Sequence, residues 1–185
     1  MKGVVFTEFL TMVEEQFSAE MVEELIAACE LRSGGAYTSI GTYDHHELVA
    51  LVVALSGRTG AAVPTLVHAF GRHLCQHFTA TYPGFFSAAA DTLAFLERVE
   101  DHVHIEVRKL YPDAELPSFA CRRVDADTLE MVYRSHRGFS DLAYGLIEAC
   151  AEHYGEVVTI AVDDLSEGTK TQVRFVVHRA ARAAS

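Results

Sequence analysis

The chain has 185 residues and half of them are hydrophobic, which is enough for one sizeable domain or for two subdomains that share a core. Its 15 Lys and Arg stand against 26 Asp and Glu, which gives a formal net charge of -11. An acidic surface repels a phosphate backbone, so no nucleic acid is expected as a partner. No stretch reaches the roughly 18 uncharged apolar residues that a membrane span requires, so we expect a cytoplasmic protein with no membrane partner.

Amphipathic helices are predicted along the first two-thirds of the chain. Apolar residues recur there at spacings of three and four, which is the pattern of a helix with one buried face. Asp44 followed by Glu47 is typical of a capping box, in which both side chains satisfy free backbone amides at the start of a helix. The predicted helices cover about residues 5–13, 21–26, 45–57, 64–81 and 85–99.

The period of the apolar pattern changes after Pro112 and Pro117, where alternating and β-branched residues become frequent. Strands are predicted at 129–133, 157–162 and 173–177, with a helix at 139–154 between the first two. We therefore expect an α+β fold within a single domain, residues 1–185. A helical N-terminal subdomain of about residues 1–112 precedes an antiparallel sheet with a packed helix in about residues 113–185.

The segment Tyr133-Arg134-Ser135-His136-Arg137 lies at the end of a predicted strand. The two-residue period of a strand points Tyr133, Ser135 and Arg137 to the same face. Two hydroxyl groups and a guanidinium then converge, and such a set of donors suits a carboxylate or a phosphate, because Arg can bind it with two parallel hydrogen bonds. The pattern is short, so an ordinary sheet face with one surface arginine is the alternative.

A second candidate site lies in residues 101–112, at the end of a predicted long apolar helix, and contains His102 and His104. A neutral imidazole is a good ligand for iron, and a single axial histidine leaves the opposite position open to a gas. Taken alone, either histidine is more simply interpreted as a partly exposed polar residue.

Together the two segments resemble the H-NOX family, the haem nitric oxide/oxygen-binding domains related to the sensor domain of soluble guanylate cyclase. The shared motifs are His-x-x-Val-x-x-Leu-Tyr-Pro, which begins at His104, and Tyr-x-Ser-x-Arg, which begins 29 residues later at Tyr133. The resemblance extends from Met1-Lys2-Gly3 to residues 151–155 and so covers nearly the whole chain. It implies that haem b, iron protoporphyrin IX, is buried between the helical and the mixed part.

The resemblance also implies a role for each motif residue. His104, rather than His102, becomes the axial ligand of the iron, because it stands eight residues before Pro112. Pro117 matches a proline that presses on the porphyrin and distorts it. The residues that match the propionate-binding motif are Tyr133, Ser135 and Arg137. The candidates for the apolar wall of the gas pocket are Val5, Phe9, Phe78, Leu142 and Leu146.

The residue at position 142 bears on the choice of gas. Oxygen-binding members of the family donate a hydrogen bond to dioxygen from a distal tyrosine, and the matching residue here is Leu142. We therefore expect NO to be preferred, with CO as a weaker ligand. Tyr144 is placed about 200° further round the helix, facing away from Leu142. An oxygen-binding sensor or carrier is the alternative.

The family resemblance further implies a signalling mechanism. Binding of NO would release His104 from the iron, relax the porphyrin and shift the helical part against the mixed part. Stand-alone bacterial members of the family act on a histidine kinase or a diguanylate cyclase, so a separately encoded partner of this kind is expected. A haem-free protein-interaction module with the same fold is the alternative.

Two other classes of site are alternatives to the haem site. His73 with His77 and Cys150 with His153 are spaced like metal ligands on a helix, which leaves a zinc site open, although Cys150 has no cysteine partner downstream. The aspartates at 163–164 could belong to an enzyme. The sequence shows no nucleophile motif, phosphate-binding loop or paired-carboxylate spacing, so no enzymatic activity is expected.

Overall fold

Eight α-helices, one π-helical turn and four β-strands make up residues 1–180, the part of the chain that the computed structural model describes. The α-helices are α1 Gly3–Gln16, α2 Ala19–Ala28, α3 His45–Thr59, α4 Val63–Thr81, α5 Pro83–Ser87, α6 Thr92–Glu97, α7 His104–Leu110 and α8 Ser140–His153. The π-helical turn is Val99–Val103, and the strands are β1 Ser118–Arg123, β2 Thr128–Arg134, β3 Val158–Asp164 and β4 Gln172–Arg179. This arrangement confirms the predicted α+β fold.

Helices α1 to α4 pack around a first hydrophobic core. Phe6, Phe9 and Val13 of α1 are completely buried in it, because their spacing of three and four places them on one face of the helix. Within residues 1–180, no single helix is long and apolar enough to cross a membrane. Helices α3 and α4 pass that test only as a pair, and they are bent by 114° at their junction.

The capping box predicted at the start of α3 is only half present. Asp44 accepts a hydrogen bond from the His46 amide at 3.0 Å, as expected of a helix cap. Glu47 turns away from the cap and accepts hydrogen bonds from the hydroxyl groups of Ser33, at 2.5 Å, and Tyr37, at 2.7 Å. These two hydroxyls outcompete a single backbone amide for the carboxylate.

The sheet has the strand order β1-β2-β4-β3, and every neighbouring pair is antiparallel. The two central strands bury one continuous face, because their inward residues lie opposite each other in the register. These pairs are Leu129 with Val177, Met131 with Phe175, and Tyr133 with Val173. Helix α8 covers this face, and its Tyr144 ring lies parallel to the ring of Phe175 at a centroid distance of 6.5 Å.

A second hydrophobic core lies between the sheet, α6 and α8. It includes Leu93 and Leu96 of α6, so this helix packs with the sheet although it precedes residue 112. Phe78 of α4 and Leu146 of α8 pack against both cores. The two cores meet along α4 and α8. The predicted boundary between the two subdomains, near residue 112, stays a prediction.

Two glycines allow α4 and α8 to approach each other closely. A Cβ atom added to Gly71 would lie 2.3 Å from the Leu142 carbonyl oxygen, and one added to Gly145 would lie 2.1 Å from the His68 carbonyl oxygen. No side chain fits at these distances, so the backbones of the two helices touch directly. The crossing fixes the position of Leu142 and Leu146 relative to α4.

The helix predicted at 85–99 is wrong, because the structure divides this segment into α5, α6 and the start of the π-helical turn. Asp91 begins α6 by accepting a hydrogen bond from the Ala94 amide at 2.8 Å. The Arg98 guanidinium donates to the Ala88 carbonyl at 2.6 Å and so satisfies a backbone group between α5 and α6. Such side-chain bonds to the backbone compete with continuous helix formation.

Candidate functional site

His104 is the first residue of α7, and only 11% of its side chain is exposed. The π-helical turn precedes it directly, and the His104 amide bonds to the Val99 carbonyl. Such turns occur frequently at functional sites. His102 packs edge-on against the ring of Phe85, at a centroid distance of 5.9 Å. The structure therefore gives the two neighbouring histidines different surroundings.

One ring nitrogen of His104 is paired, since Nδ1 lies 3.0 Å from Oε2 of Glu100. Burial lowers the pKa of His104, although the Glu100 carboxylate acts in the opposite direction, so the neutral ring is favoured. A neutral ring that donates its Nδ1 proton to a carboxylate has its lone pair on Nε2. This Nε2 makes no hydrogen bond to any residue of the described part of the chain, so it can bind a metal ion.

A row of aromatic rings leads from His104 to Tyr133. The ring of Phe119 lies 5.9 Å from the ring of His104 and 5.7 Å from that of Tyr133, measured between centroids. The pairing of β1 with β2 fixes this row, because Phe119 lies opposite Tyr133 in the register. The Tyr133 oxygen accepts a hydrogen bond from the Phe139 amide at 3.1 Å, and burial raises the pKa of this phenol.

Tyr133, Ser135 and Arg137 come together through a turn rather than along a strand. Strand β2 ends at Arg134, and the Ser135 amide adds one bond to the Thr171 carbonyl at 2.9 Å. The Ser135 hydroxyl then accepts a hydrogen bond from the Arg137 amide at 3.3 Å. The strand period predicted for these residues is therefore wrong beyond Ser135, but the turn still brings the charge of Arg137 close to the Tyr133 hydroxyl.

The guanidinium of Arg137 is a buried binding group for a carboxylate. Only 6% of its side chain is exposed, and it donates to the Glu115 carbonyl at 2.7 Å and pairs with the Glu115 carboxylate. Its Nε is buried and has no hydrogen-bond partner within residues 1–180. Glu115 is 70% exposed, so another carboxylate could replace it at low cost.

These residues fit a haem. His104 offers a nitrogen ligand for iron, and Arg137 offers a buried cation with a spare N–H for a propionate. The aromatic rings of Phe119 and Tyr133 extend from His104, and such an apolar surface suits a large apolar macrocycle. Pro117 directly precedes β1 and stands two residues before Phe119, whose ring lies beside that of His104. Its role against the porphyrin stays a prediction.

The residues predicted to line the gas pocket lie in or against the first core. They are the fully buried Phe9 and the partly buried Val5, Phe78, Leu142 and Leu146. Tyr144 packs instead against His68, at a ring distance of 4.9 Å, and against the second core. It therefore faces away from Leu142, as the helical period predicts, while the role of the five apolar residues stays a prediction.

The two residue pairs of the alternative zinc site lie in surroundings that do not favour zinc. His73 and His77 both face Glu8, with nitrogen–oxygen distances of 3.5 Å and 2.9 Å. Cys150 is buried, and burial raises the pKa of its thiol, which disfavours the thiolate that binds zinc. Among the described residues, the side chains close enough to share a metal ion are Asp44, His45 and His46. Neither predicted pair belongs to this group.

Comparison with known proteins shows which family this chain is similar to. Residues 2–162 match the model of the family described as Haem-NO-binding. The Fe(II) unliganded H-NOX protein from K. algicida is 36% identical, with a TM-score of 0.95 and 100% of both chains covered. The IWP-051-bound H-NOX from Shewanella woodyi in the Fe(II)CO ligation state is 38% identical, with a TM-score of 0.84, covering 100% of this chain and 97% of that one.

A longer relative is soluble guanylate cyclase 89Db of Drosophila melanogaster, which is 24% identical over 187 residues and covers 95% of this chain. The chain spans only 27% of the length of that protein. The family model covers most of the chain, two solved relatives match it along its length, and the donor groups of the site fit a haem. The chain therefore belongs to the Haem-NO-binding (H-NOX) family of haem-based gas sensors, with haem as its cofactor and a sensory rather than an enzymatic role.

Proposed function

We propose that this chain senses nitric oxide at a five-coordinate ferrous haem and signals to a separate protein when His104 is released from the iron. The observation that supports this most directly is the surroundings of His104, whose ring is buried, has Nδ1 paired with Glu100 and has Nε2 without a hydrogen-bond partner in residues 1–180. Burial also lowers the pKa of His104, which favours the neutral ring. When bound, the haem supplies an iron that takes one protein ligand and leaves one position for a gas.

The residues of the chain hold and orient the cofactor. His104 would hold the iron through Nε2, and the buried guanidinium of Arg137 would hold a propionate in place of the exposed Glu115 carboxylate. The hydroxyl groups of Tyr133 and Ser135 lie beside the same turn and would donate further hydrogen bonds to the propionates. Pro117 would press on the porphyrin and distort it, as the family resemblance implies.

The preference for NO follows from the lack of a hydrogen-bond donor at Leu142. Oxygen gains stability from such a donor in the gas pocket, whereas NO binds ferrous haem strongly without one. Tyr144 does not supply this donor, because it packs against His68 and the Glu148 side chain on another side of α8. CO is expected to bind more weakly than NO.

Release of His104 reaches the helical part of the molecule through the segment after α7. Asp113 accepts hydrogen bonds from Thr42 at 2.6 Å and from Lys2 at 3.4 Å, and Lys2 is the residue that precedes α1. A partner responds to this movement only if it binds the two states with different affinity. We propose a separately encoded histidine kinase or diguanylate cyclase as that partner.

Replacing His104 with glycine tests the proposal. Without added imidazole, H104G is expected to lose normal haem uptake and the change in Soret absorption on addition of NO, because the iron has no protein ligand. Added imidazole is expected to restore the five-coordinate ferrous spectrum. H102G is the matched control, since it introduces the same backbone flexibility beside the site but leaves the ligand in place.

Two spectroscopic results would contradict the proposal. Normal haem uptake and a normal NO response in H104G without imidazole would exclude His104 as the ligand. A stable oxygen complex of the native ferrous protein in air would identify the oxygen-binding sensor or carrier instead.

A further inference from the structure

Glu100 belongs to neither motif, yet its carboxylate lies directly against the ring of His104. Oε2 of Glu100 is 3.0 Å from Nδ1 of His104 and accepts a hydrogen bond from the Phe119 amide at 3.1 Å. Oε1 accepts a hydrogen bond from the Arg108 guanidinium at 3.2 Å. Groups from α7 and β1 therefore hold one carboxylate of the π-helical turn against one ring nitrogen.

The local backbone explains why these groups meet. Glu100 and His104 are four residues apart, a spacing that places side chains on the same helix face. The π-helical turn widens this face, because the His104 amide bonds to the carbonyl of Val99, five residues earlier. Strand β1 lies at the edge of the sheet, and its Phe119 amide finds its acceptor in Glu100.

A charged acceptor does more to a ligand histidine than a neutral acceptor does. A carbonyl group or a water molecule at Nδ1 would fix the tautomer and the orientation of the ring. A carboxylate also draws the Nδ1 proton away from the ring, which raises the basicity of the nitrogen that binds the metal. Arg108 moderates this effect, because its positive charge competes for the same carboxylate.

We infer that Glu100 is a positioning residue that sets how strongly His104 donates electrons to the haem iron, and thereby how readily His104 is released when NO binds. The inference rests on the proposed function, because it takes His104 as the ligand of the iron. The charged Glu100 strengthens the iron–histidine bond and slows its loss.

The variant E100Q exchanges the charged acceptor for a neutral one of nearly the same size. In the ferrous protein without a gas, resonance Raman spectroscopy is expected to show a lower iron–histidine stretching frequency in E100Q. After mixing with NO, loss of the His104 bond, followed at the Soret band, is expected to be about 10–100-fold faster, the range in which second partners of metal-bound histidines act.

Two further variants separate this role from a structural one. R108Q removes the cation that competes for Glu100, so the stretching frequency is expected to rise and the loss of His104 to slow. A purely structural role of Glu100 would not produce shifts of opposite sign in E100Q and R108Q. E106Q is the matched control, because it neutralises a glutamate close to His104 that pairs with Lys109, at 2.6 Å, instead of with the ring. It is expected to leave both measurements unchanged.

The outcomes distinguish the inference from the proposed function. If the native ferrous protein shows no iron–histidine band, the proposed function fails and the inference fails with it. If the native band is present and neither E100Q nor R108Q shifts it, the inference alone is overturned. If E100Q takes up no haem, R108Q decides, since a higher frequency supports the role of Glu100 and an unchanged one overturns it.

Discussion

The protonation state of the His104 ring results from two opposing effects. Burial lowers the pKa of His104, and the neighbouring Glu100 carboxylate raises it. Burial would also raise the pKa of Glu100, but hydrogen bonds from His104, the Phe119 amide and Arg108 outweigh it and keep this pKa below its ordinary value. At neutral pH the pair is therefore a neutral imidazole beside an ionised carboxylate, which is the state that binds a metal ion.

A tyrosine at position 142 is expected to raise the affinity of the ferrous protein for oxygen. L142Y places a hydroxyl donor in the pocket, and one hydrogen bond contributes about 0.5–1.5 kcal/mol, which corresponds to roughly a 2–12-fold rise in oxygen affinity. Titration of the ferrous protein with oxygen, followed at the Soret band, measures this change. L142F is the control, because it adds a ring of similar size without a donor, and equal affinities in the two variants would show that Leu142 does not face the gas.

Some residues of the site could be predicted from the sequence and others could not. His104, Tyr133, Ser135 and Arg137 stand in two motifs at a fixed separation, so a family resemblance was enough to select them. Glu100 and Glu115 have no such signal, because a glutamate near a helix end usually faces solvent. Only the fold brings Glu100 to the amide of a residue 19 positions later. Phe119 also lies outside both motifs, and only the pairing of β1 with β2 brings it beside Tyr133.

At the scale of secondary structure, periodicity predicted the long elements and failed for the short ones. Helices α1, α3, α4 and α8 and the strands β2, β3 and β4 each have an apolar pattern or β-branched residues over several positions. Strand β1 was not located, because its six residues have no fully buried member and include two arginines. The π-helical turn has no sequence signature, since a single widened turn is set by its surroundings.

The crossing of α4 and α8 depends on the lack of a side chain at Gly145. G145A would place a Cβ atom 2.1 Å from the His68 carbonyl oxygen, so the helices must separate. We expect the free energy of unfolding to fall by about 1–3 kcal/mol, as in other overpacked cores, in urea titration of the haem-loaded protein. The haem is expected to be lost more easily, because Leu142 and Leu146 move with α8.

G57A is the matched control for this helix crossing. Gly57 lies within α3, and a Cβ atom added there would meet nothing within 4 Å. Alanine is favoured over glycine by about 0.5–1 kcal/mol within a helix, so G57A is expected to stabilise the protein slightly. If both variants changed stability in the same direction, close approach of the two helices would not explain the effect of G145A.

At the scale of the whole molecule, the two hydrophobic cores share the α4–α8 contact, and polar links also connect the helical part to the segment after α7. One such link joins the segment after α7 to the start of α1, where Lys2 contacts both Asp113 and the ring of Tyr111, with its Nζ 4.8 Å from the ring centroid. Thr42 completes the link through its hydroxyl. We expect a movement of α7 on the proposed release of His104 to be passed through this link to the N-terminus of α1.

Removing this link is expected to leave NO binding intact and to abolish the effect of NO binding on α1. D113A deletes the acceptor for Lys2 and Thr42, and because exposed pairs contribute only about 0.2–1 kcal/mol, the fold is expected to stay intact. Hydrogen exchange of the α1 amides, measured with and without NO, is expected to change in the native protein but not in D113A. D163A removes an aspartate of similar exposure, which pairs with Arg174, and serves as the control. An NO-dependent change in α1 that persists in D113A would place the coupling elsewhere, most directly in the α4–α8 contact.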